Sequence, residues 1–410
     1  MSCSAYLKSS KTLGEKQNVM DTATMYRDTR FGELMKGLPR KIFEKIVNGS
    51  EADKYRKCFH SWDHLLVMVY AQITGCRSLR EIESGYNSQS THHYRLGSQL
   101  VKRSTLSDAN TNRSSEIFRL VCEALMCCLH KQLRRELKSR LYLLDATPIM
   151  LQGLGYDEWT KSSKTMKTQG LKVHLQTAAE VALPIALGIT PPNVNDIEFG
   201  KKIELESGVT YAFDKGYYDY GWWFKIAQSQ SFFVTRFKAN ACLKVTGKLR
   251  VPSAATNIIE DAQVQLTRKY NNSSSRNPYY GKTLRRITVK KDGPGNHLVL
   301  ATNDFERSAE DIANVYKQRW EIELFFKWIK QNLRIKKFIG RSENAVKTQI
   351  YTALITYMLI YMYKQQQKVE SSLKLFLVTL KTGLFQAADT ERRRQRYRSR
   401  CLQLKRGLIS

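Results

Sequence analysis

Acidic side chains are scarce in this sequence: 37 Asp plus Glu stand against 67 Lys plus Arg in 410 residues, a formal charge of +30. A surface so short of acids attracts polyanions, and nucleic acid is the natural partner, although composition alone leaves DNA and RNA equally open. Paired cysteines are missing too. Cys3, Cys58, Cys76, Cys122, Cys127, Cys128, Cys242 and Cys401 are scattered, with no repeated C-x-x-C and no matching histidine spacing, which excludes a zinc ribbon or a disulfide framework. They are expected to be reduced and mostly buried. Long apolar runs are absent as well: the longest, Ile350 to Tyr363, has 14 residues and contains Thr352 and Thr356, too short to span a bilayer. Residues 1–20 carry Lys8, Lys11, Glu15 and Lys16 without an apolar stretch, so no secretory signal and a cytosolic, nucleoid-associated protein are expected.

What is present is ample core material. Hydrophobic residues make up 42% and aromatics 10%, enough for two or three packed domains. Residues 1–25 lack periodicity and read as a tail. From 26 to 138 the apolar spacing is helical, as in Leu65, Leu66, Met68, Val69 and Ile73, then Ile117, Leu120, Val121 and Leu125. Between these helices lies a polar, basic stretch with His92, His93, Tyr94, Arg95, Lys102 and Arg103. It suits either a helix-turn-helix presentation to a duplex or the plain loops of a helical bundle.

After Arg140 the pattern changes to short apolar runs. Strands are expected at Leu141–Leu144, Leu171–Thr177, Leu183–Ile189, Val209–Phe213 and Phe232–Thr235, with helices over Asp196–Glu206 and Tyr220–Ala227, an α/β unit with a mixed sheet. Residues 239–304 alternate apolar and polar in a β-rich insertion, with Asn271–Ser275 as a turn or tip. Between Lys238 and Leu300 there are 12 Lys plus Arg against three acids. Helices resume over Ser308–Gln331 and Asn344–Gln367, and the last 20 residues carry eight Lys plus Arg and one Glu, suited to phosphate contact. The expected domains are 26–138, 139–238 with 305–340, the insertion 239–304, and the C-terminal helices and tail 341–410.

Two acids end apolar strands, Asp145 in Leu-Leu-Asp-Ala-Thr and Asp214 in Ala-Phe-Asp-Lys-Gly. Strand ends of an open α/β sheet are where ligands gather. Phosphodiester cleavage by two divalent ions requires carboxylates converging on metals, and hard oxygen donors suit Mg²⁺ or Mn²⁺. A third acid is offered by the helix around residue 320. At about 100° per residue, Tyr316, Arg319, Glu323 and Lys330 fall at about 0°, 300°, 340° and 320°, one narrow stripe, while Glu321 lies off it. Such a stripe grips something charged, or it is an Arg319–Glu323 helical salt bridge and nothing more.

The spacing Tyr316-x2-Arg319-x3-Glu323-x6-Lys330 resembles the Y-R-E-K signature of the cut-and-paste transposases of insertion-sequence family four. Asp145 and Asp214 stand where that family keeps its two aspartates, the β-rich insertion before the glutamate is a further likeness, and the resemblance covers roughly residues 30–370. It implies a ribonuclease H-like mixed-sheet core, a helical N-terminal domain for end binding, and Asp145, Asp214 and Glu323 as ligands of two Mg²⁺, with Mn²⁺ able to substitute. It implies phosphate contacts from Tyr316, Arg319 and Lys330, double-stranded DNA partners (terminal inverted repeats and target), and a homodimer on paired ends. In hairpin-forming members water cuts one strand, the freed 3′ hydroxyl attacks the other, and the 3′ ends later join target DNA. One departure stands out: the tryptophan that stacks a flipped base in such relatives has no counterpart, since no Trp occurs between Phe224 and Arg319. Phe237, Tyr270, Tyr279, Tyr280, Trp222 and Trp223 are the candidate substitutes, with Trp222 and Trp223 favoured as core. Asp196 reads as a helix N-cap and His174 as a packed strand residue. A ribonuclease H-like nuclease without joining activity, or an inactive domesticated DNA-binding protein, are the alternative readings.

Overall fold

The computed structural model describes residues 28–134, 140–163, 168–252, 255–270, 276–290, 296–335 and 337–388. The sequence-stretch 1–25, the tip Asn271–Ser275 and the basic C-terminal 20 residues lie outside them. Seven helices come first: α1 (Arg30–Met35), α2 (Arg40–Gly49), α3 (Ser61–Thr74), α4 (Leu79–Asn87), α5 (His93–Leu96), α6 (Arg103–Asn112) and α7 (Glu116–Leu133). α3 is started by Asp63, which accepts from the His60 amide at 3.0 Å, and stopped by Gly75 at φ 75°, a left-handed cap that glycine adopts without strain. Every residue from Ser61 to Ile73 is buried, so α3 is a core helix rather than an amphipathic one.

Ten strands form one sheet: β1 (Leu141–Met150), β2 (Lys161–Ser163), β3 (Thr168–Ala178), β4 (Leu183–Thr190), β5 (Thr210–Phe213), β6 (Phe232–Arg236), β7 (Leu243–Lys248), β8 (Ile258–Leu266), β9 (Thr283–Lys290) and β10 (His297–Thr302). β1, β3 and β4 are antiparallel neighbours, and β5 then β6 join β1 in parallel. This is the expected ribonuclease H-like core. The basic insertion does not leave the sheet: β10 pairs with β6 antiparallel, and β9, β8 and β7 follow outward. Six more helices complete the chain in the described residues: α8 (Ile197–Gly200) and α9 (Tyr220–Gln228) between strands, then α10 (Ala309–Gln318), α11 (Trp320–Asn332) and α12 (Glu343–Gln366), with α13 (Leu373–Thr382) last.

The sheet separates two cores. Tyr142, Leu144, Tyr211 and Phe213 face one that also holds Phe199, Tyr217, Trp222 and Trp223. Leu141, Leu143, Leu175 and Ala212 face the other, shared with the N-terminal helices, α11 and α12. α12 packs on α1, α3, α6, α7 and α13 and is buried through most of its length. Two of its threonines are satisfied within the helix, Thr352 Oγ1 donating to the Thr348 carbonyl and Thr356 Oγ1 to that of Thr352. Thus the 14-residue apolar run is a core helix, and no helix among the described residues is long and apolar enough to cross a membrane.

Four expectations are corrected. The helix over Asp196–Glu206 shrinks to the single turn of α8, and β1 runs five residues beyond Asp145 because its outer half pairs with β3. The helix over Ser308–Gln331 is two, broken at Arg319, whose amide makes a tight turn onto the Tyr316 carbonyl at 3.2 Å. Cysteines are less buried than expected: Cys127 and Cys128 lie on the outer face of α7, whose inner face carries Leu125, Met126 and Leu129, and Cys58 is also exposed.

Candidate active site

Pairing between β1 and β5 ends at Leu144 and Phe213, so Asp145 and Asp214 emerge side by side from neighbouring parallel strands about 4.8 Å apart. Side chains alternate along a strand. Since Leu144 and Phe213 face the α8–α9 core, both aspartates belong to the opposite face, where α11 packs on β1. There Ile322, Phe325, Phe326 and Ile329 anchor α11, and this places Glu323 over the sheet. Asp145, Thr147, Glu323, Phe326 and Lys330 line one cavity of about 400 Å³. Asp214 does not line it; its Oδ1 accepts from the Gly216 amide at 2.7 Å.

Asp145 feels the other two acids. The Asp145 carboxyl is pushed up to about 7 by burial, with the negative charges of Asp214 and Glu323 adding to it and the Ala146 amide and Arg319 opposing. Half-buried carboxylate oxygens near one another fit a hard divalent cation. Among the described residues no three such side chains are drawn close enough to hold an ion as they stand. One reason is visible: Glu323 Oε1 is taken by Arg319 Nη2 at 2.7 Å.

Tyr316, Arg319 and Glu323 stay linked despite the helix break, and Lys330 lines the same cavity as Glu323. Arg319 sits 5.7 Å from the Tyr316 ring and pairs with Glu323, and Lys330 donates to Thr147 Oγ1 and to the Pro148 carbonyl beside Asp145. Tyr316, Arg319, Arg236, Asn257, Lys290 and Lys317 border a second cavity of about 640 Å³. Among the described residues no acid lines it, and Tyr316 Oη, Arg236 Nε, Arg319 Nε and Asn257 Oδ1 are buried without hydrogen-bond partners. Sequence reasoning missed Arg236; the signal was its place as the last residue of β6, next in the parallel series after the aspartates.

The stacking aromatics are largely corrected. Trp222, Trp223, Phe237 and Tyr279 are 2%, 0%, 4% and 3% exposed, packed around Phe213 and Phe233, and have no face free for a base. Tyr270 and Tyr280 remain exposed. Asp196 does precede α8, yet its side chain caps nothing there and pairs with Lys172 instead. His174 is fully buried, stacked on Phe199. Asp219 caps α9 through the Trp222 amide, which removes it from the acid cluster. Trp320 is exposed, while Trp328 packs on Tyr357.

A ribonuclease H-like sheet with paired aspartates, a helix-borne glutamate and a cationic cavity alongside defines a phosphoryl-transfer enzyme that works on nucleic acid. The family described as "Transposase DDE domain" matches residues 136–359, and a domain of unknown function matches residues 26–99. A Sinorhizobium fredii protein named as transposase y4zB is 40% identical over 287 residues, spanning 69% of this chain and 78% of that protein. Geobacillus stearothermophilus and Synechocystis proteins, named as transposases of insertion sequence elements IS5377 and IS4SA, are 26% and 28% identical, over 69% and 65% of this chain and 72% of each of them. The chain belongs to the DDE transposases of insertion sequences: it is a DNA-binding enzyme that cleaves DNA and transfers strands.

Proposed function

We propose that this transposase moves its element by cut and paste, with Asp145, Asp214 and Glu323 as the ligands of two Mg²⁺, for which Mn²⁺ substitutes. The reading rests on Asp145 and Glu323 lining one cavity, with Asp214 at the neighbouring strand end and the charges of Asp214 and Glu323 adding to the burial that raises the Asp145 pKa. The ions would supply charge neutralisation at the scissile phosphate and an activated oxygen nucleophile. Release of Glu323 from Arg319 frees a carboxylate for that purpose and a guanidinium for phosphate at once. Tyr316, Arg319 and Lys330, joined by Arg236, hold the DNA backbone near the cut. Tyr270 or Tyr280 stacks a base displaced from a hairpin end. Residues 26–138 bind the terminal inverted repeats, the insertion 239–304 and the basic C-terminal tail add phosphate contacts, and two protomers pair two ends before capturing target DNA at the nucleoid.

Incubation of the protein with its own element's ends and Mg²⁺ tests the pathway. Hairpin-ended flanks or element ends, followed by joined product, are the expected species on a denaturing gel. Cleavage without hairpins or joining would favour the nuclease, and binding without cleavage the inactive protein.

The titration of Asp145 gives a separate check. Its folded value of about 7 lies above the ordinary 3.8, so this group favours folding below about pH 4 and that contribution is lost as pH rises through 7. Deprotonation is also what lets it take a cation. The rise in melting temperature caused by Mn²⁺ is therefore expected to be larger at pH 8 than at pH 6. A rise equal at both would argue against Asp145 as a ligand.

A further inference from the structure

Behind the Asp214 turn, on the opposite face of the sheet from Glu323, lies a carboxylate that the site above does not use. Asp196 is held by Lys172 of β3, whose Nζ donates to Asp196 Oδ1 at 2.8 Å and to the Val194 carbonyl at 2.9 Å. Lys172 is itself buried. His174 Nδ1 stands 3.8 Å from the same Asp196 oxygen, but burial and then the Lys172 charge lower its pKa to about 4, so it is neutral and Lys172 is the counter-charge.

The second Asp196 oxygen faces Gly216. A Cβ on Gly216 would stand 2.6 Å from Asp196 Oδ2 and 2.9 Å from Asp214 Oδ1, so any side chain here forces one or both carboxylates to move. The φ of Gly216 is outside the left-handed region, so space and not backbone conformation favours glycine here. Gly216 is thus wedged between two carboxylates, and its amide is the donor that fixes Asp214. Tyr217, fully buried with a hydroxyl that has no hydrogen-bond partner, senses the whole group. Burial pushes it well above its usual range, and the charges of Asp196, Asp145 and Asp214 add in that order.

We propose that Lys172 and Asp196 are a positioning pair for Asp214: Asp196, neutralised by Lys172, backs Gly216 so that its amide holds the Asp214 carboxylate in one orientation. The pair touches neither DNA nor the reacting atoms. Its lysine also keeps Asp196 from becoming a stray fourth acid in the cluster. The inference rests on Asp214 being a metal ligand, as proposed above. Partners that orient metal ligands from behind typically control affinity for the ion as much as the ligands themselves do.

The test is Mn²⁺ titration of the full chain, read as melting temperature without DNA and as cleavage of end DNA, in Asp196→Ala, Gly216→Ala, Lys172→Met and Lys172→Arg. Asp196→Ala, Gly216→Ala and Lys172→Met should raise the Mn²⁺ midpoint about tenfold or more in both readouts, with end-DNA binding in Ca²⁺ unchanged, while Lys172→Arg stays near the parent. A merely structural role would lower the metal-free melting temperature and leave the midpoint alone. Gly216→Ala perturbs the wedge without removing a charge, and it decides the matter if Asp196→Ala does not fold. Parent-like midpoints in the variants that fold overturn the pair, provided Asp214→Asn abolishes cleavage. If Asp214→Asn cleaves like the parent, the assignment of Asp214 itself falls, and the pair with it.

Discussion

Glu323→Ala is expected to bind end DNA as well as the parent does and to lose cleavage by about a thousandfold or more. Three carboxylates from β1, β5 and α11 would share the ions, and no other acid lines the cavity between Asp145 and Lys330 to replace the missing one. A metal site contributes several kcal/mol of transition-state stabilisation, and a loss of about 4 kcal/mol is already about a thousandfold in rate. Binding should survive because Glu323 opposes DNA rather than attracting it: its removal releases Arg319, the cation it holds at 2.7 Å. End-DNA affinity by gel shift in Ca²⁺ and single-turnover cleavage in Mg²⁺ separate the two effects. Asp145→Ala and Asp214→Asn should behave alike. Cleavage within tenfold of the parent in Glu323→Ala would remove the glutamate from the site and restore the plain Arg319–Glu323 salt bridge as its whole role.

That opposition between Arg319 and the ions explains how the site can be both assembled and incomplete. The fold brings Asp145 and Glu323 to one cleft, with Asp214 at the adjacent strand end, yet Glu323 leans on the guanidinium one turn earlier in sequence. DNA phosphate and divalent cations would together pull the pair apart, each taking one partner. Arg236 and the hydroxyl of Tyr316, both bordering the same cavity as Arg319, are placed to receive what Arg319 brings.

Strand ends and helix spacing were what the sequence could convey. Asp145 and Asp214 were legible because each follows an apolar run, and the parallel register of β1 with β5 is the simplest way to bury both runs. Tyr316, Arg319, Glu323 and Lys330 were legible by spacing, although the even stripe assumed one straight helix. Arg319 turns tightly between two, and contact survives because Arg319 and Glu323 are only four residues apart. Non-local placement was beyond reach. Nothing near Arg236 announces that β6 ends beside α10, and Lys172, Asp196 and Gly216 are brought together by three separate connections. Among the aromatics, Trp222 and Trp223 fill the core under β5 as their spacing suggested, whereas a buried Phe237 or Tyr279 and an exposed Tyr270 or Tyr280 look alike in a pattern and only packing separates them.

Asp261→Ala is expected to destabilise the protein by about 3–5 kcal/mol, the cost of leaving one member of a buried ion pair without its partner. Asp261 on β8 and Arg285 on β9 are 3% and 5% exposed and meet in a fork, Nε to Oδ1 at 2.9 Å and Nη2 to Oδ2 at 2.7 Å. Arg285 Nη1 continues to the carbonyls of Asp304 and Arg307 at 3.1 and 2.6 Å, in the turn that starts α10. The fork therefore ties the insertion to the helix bearing Tyr316. Without Asp261 the guanidinium must draw in water or pull away, and the turn before α10 moves with it. The variant should unfold at lower denaturant, followed by circular dichroism, and should cleave poorly even where it remains folded. Replacing both partners by apolar residues, Asp261→Leu with Arg285→Met, should recover much of the stability because no charge is stranded. It should not restore cleavage, since the tether to the Asp304 and Arg307 carbonyls is still missing. A denaturation midpoint unchanged in Asp261→Ala would mean that the fork is solvated in solution and that the β10 ladder on β6 and the apolar packing of β8 and β9 on α10 hold the insertion without it.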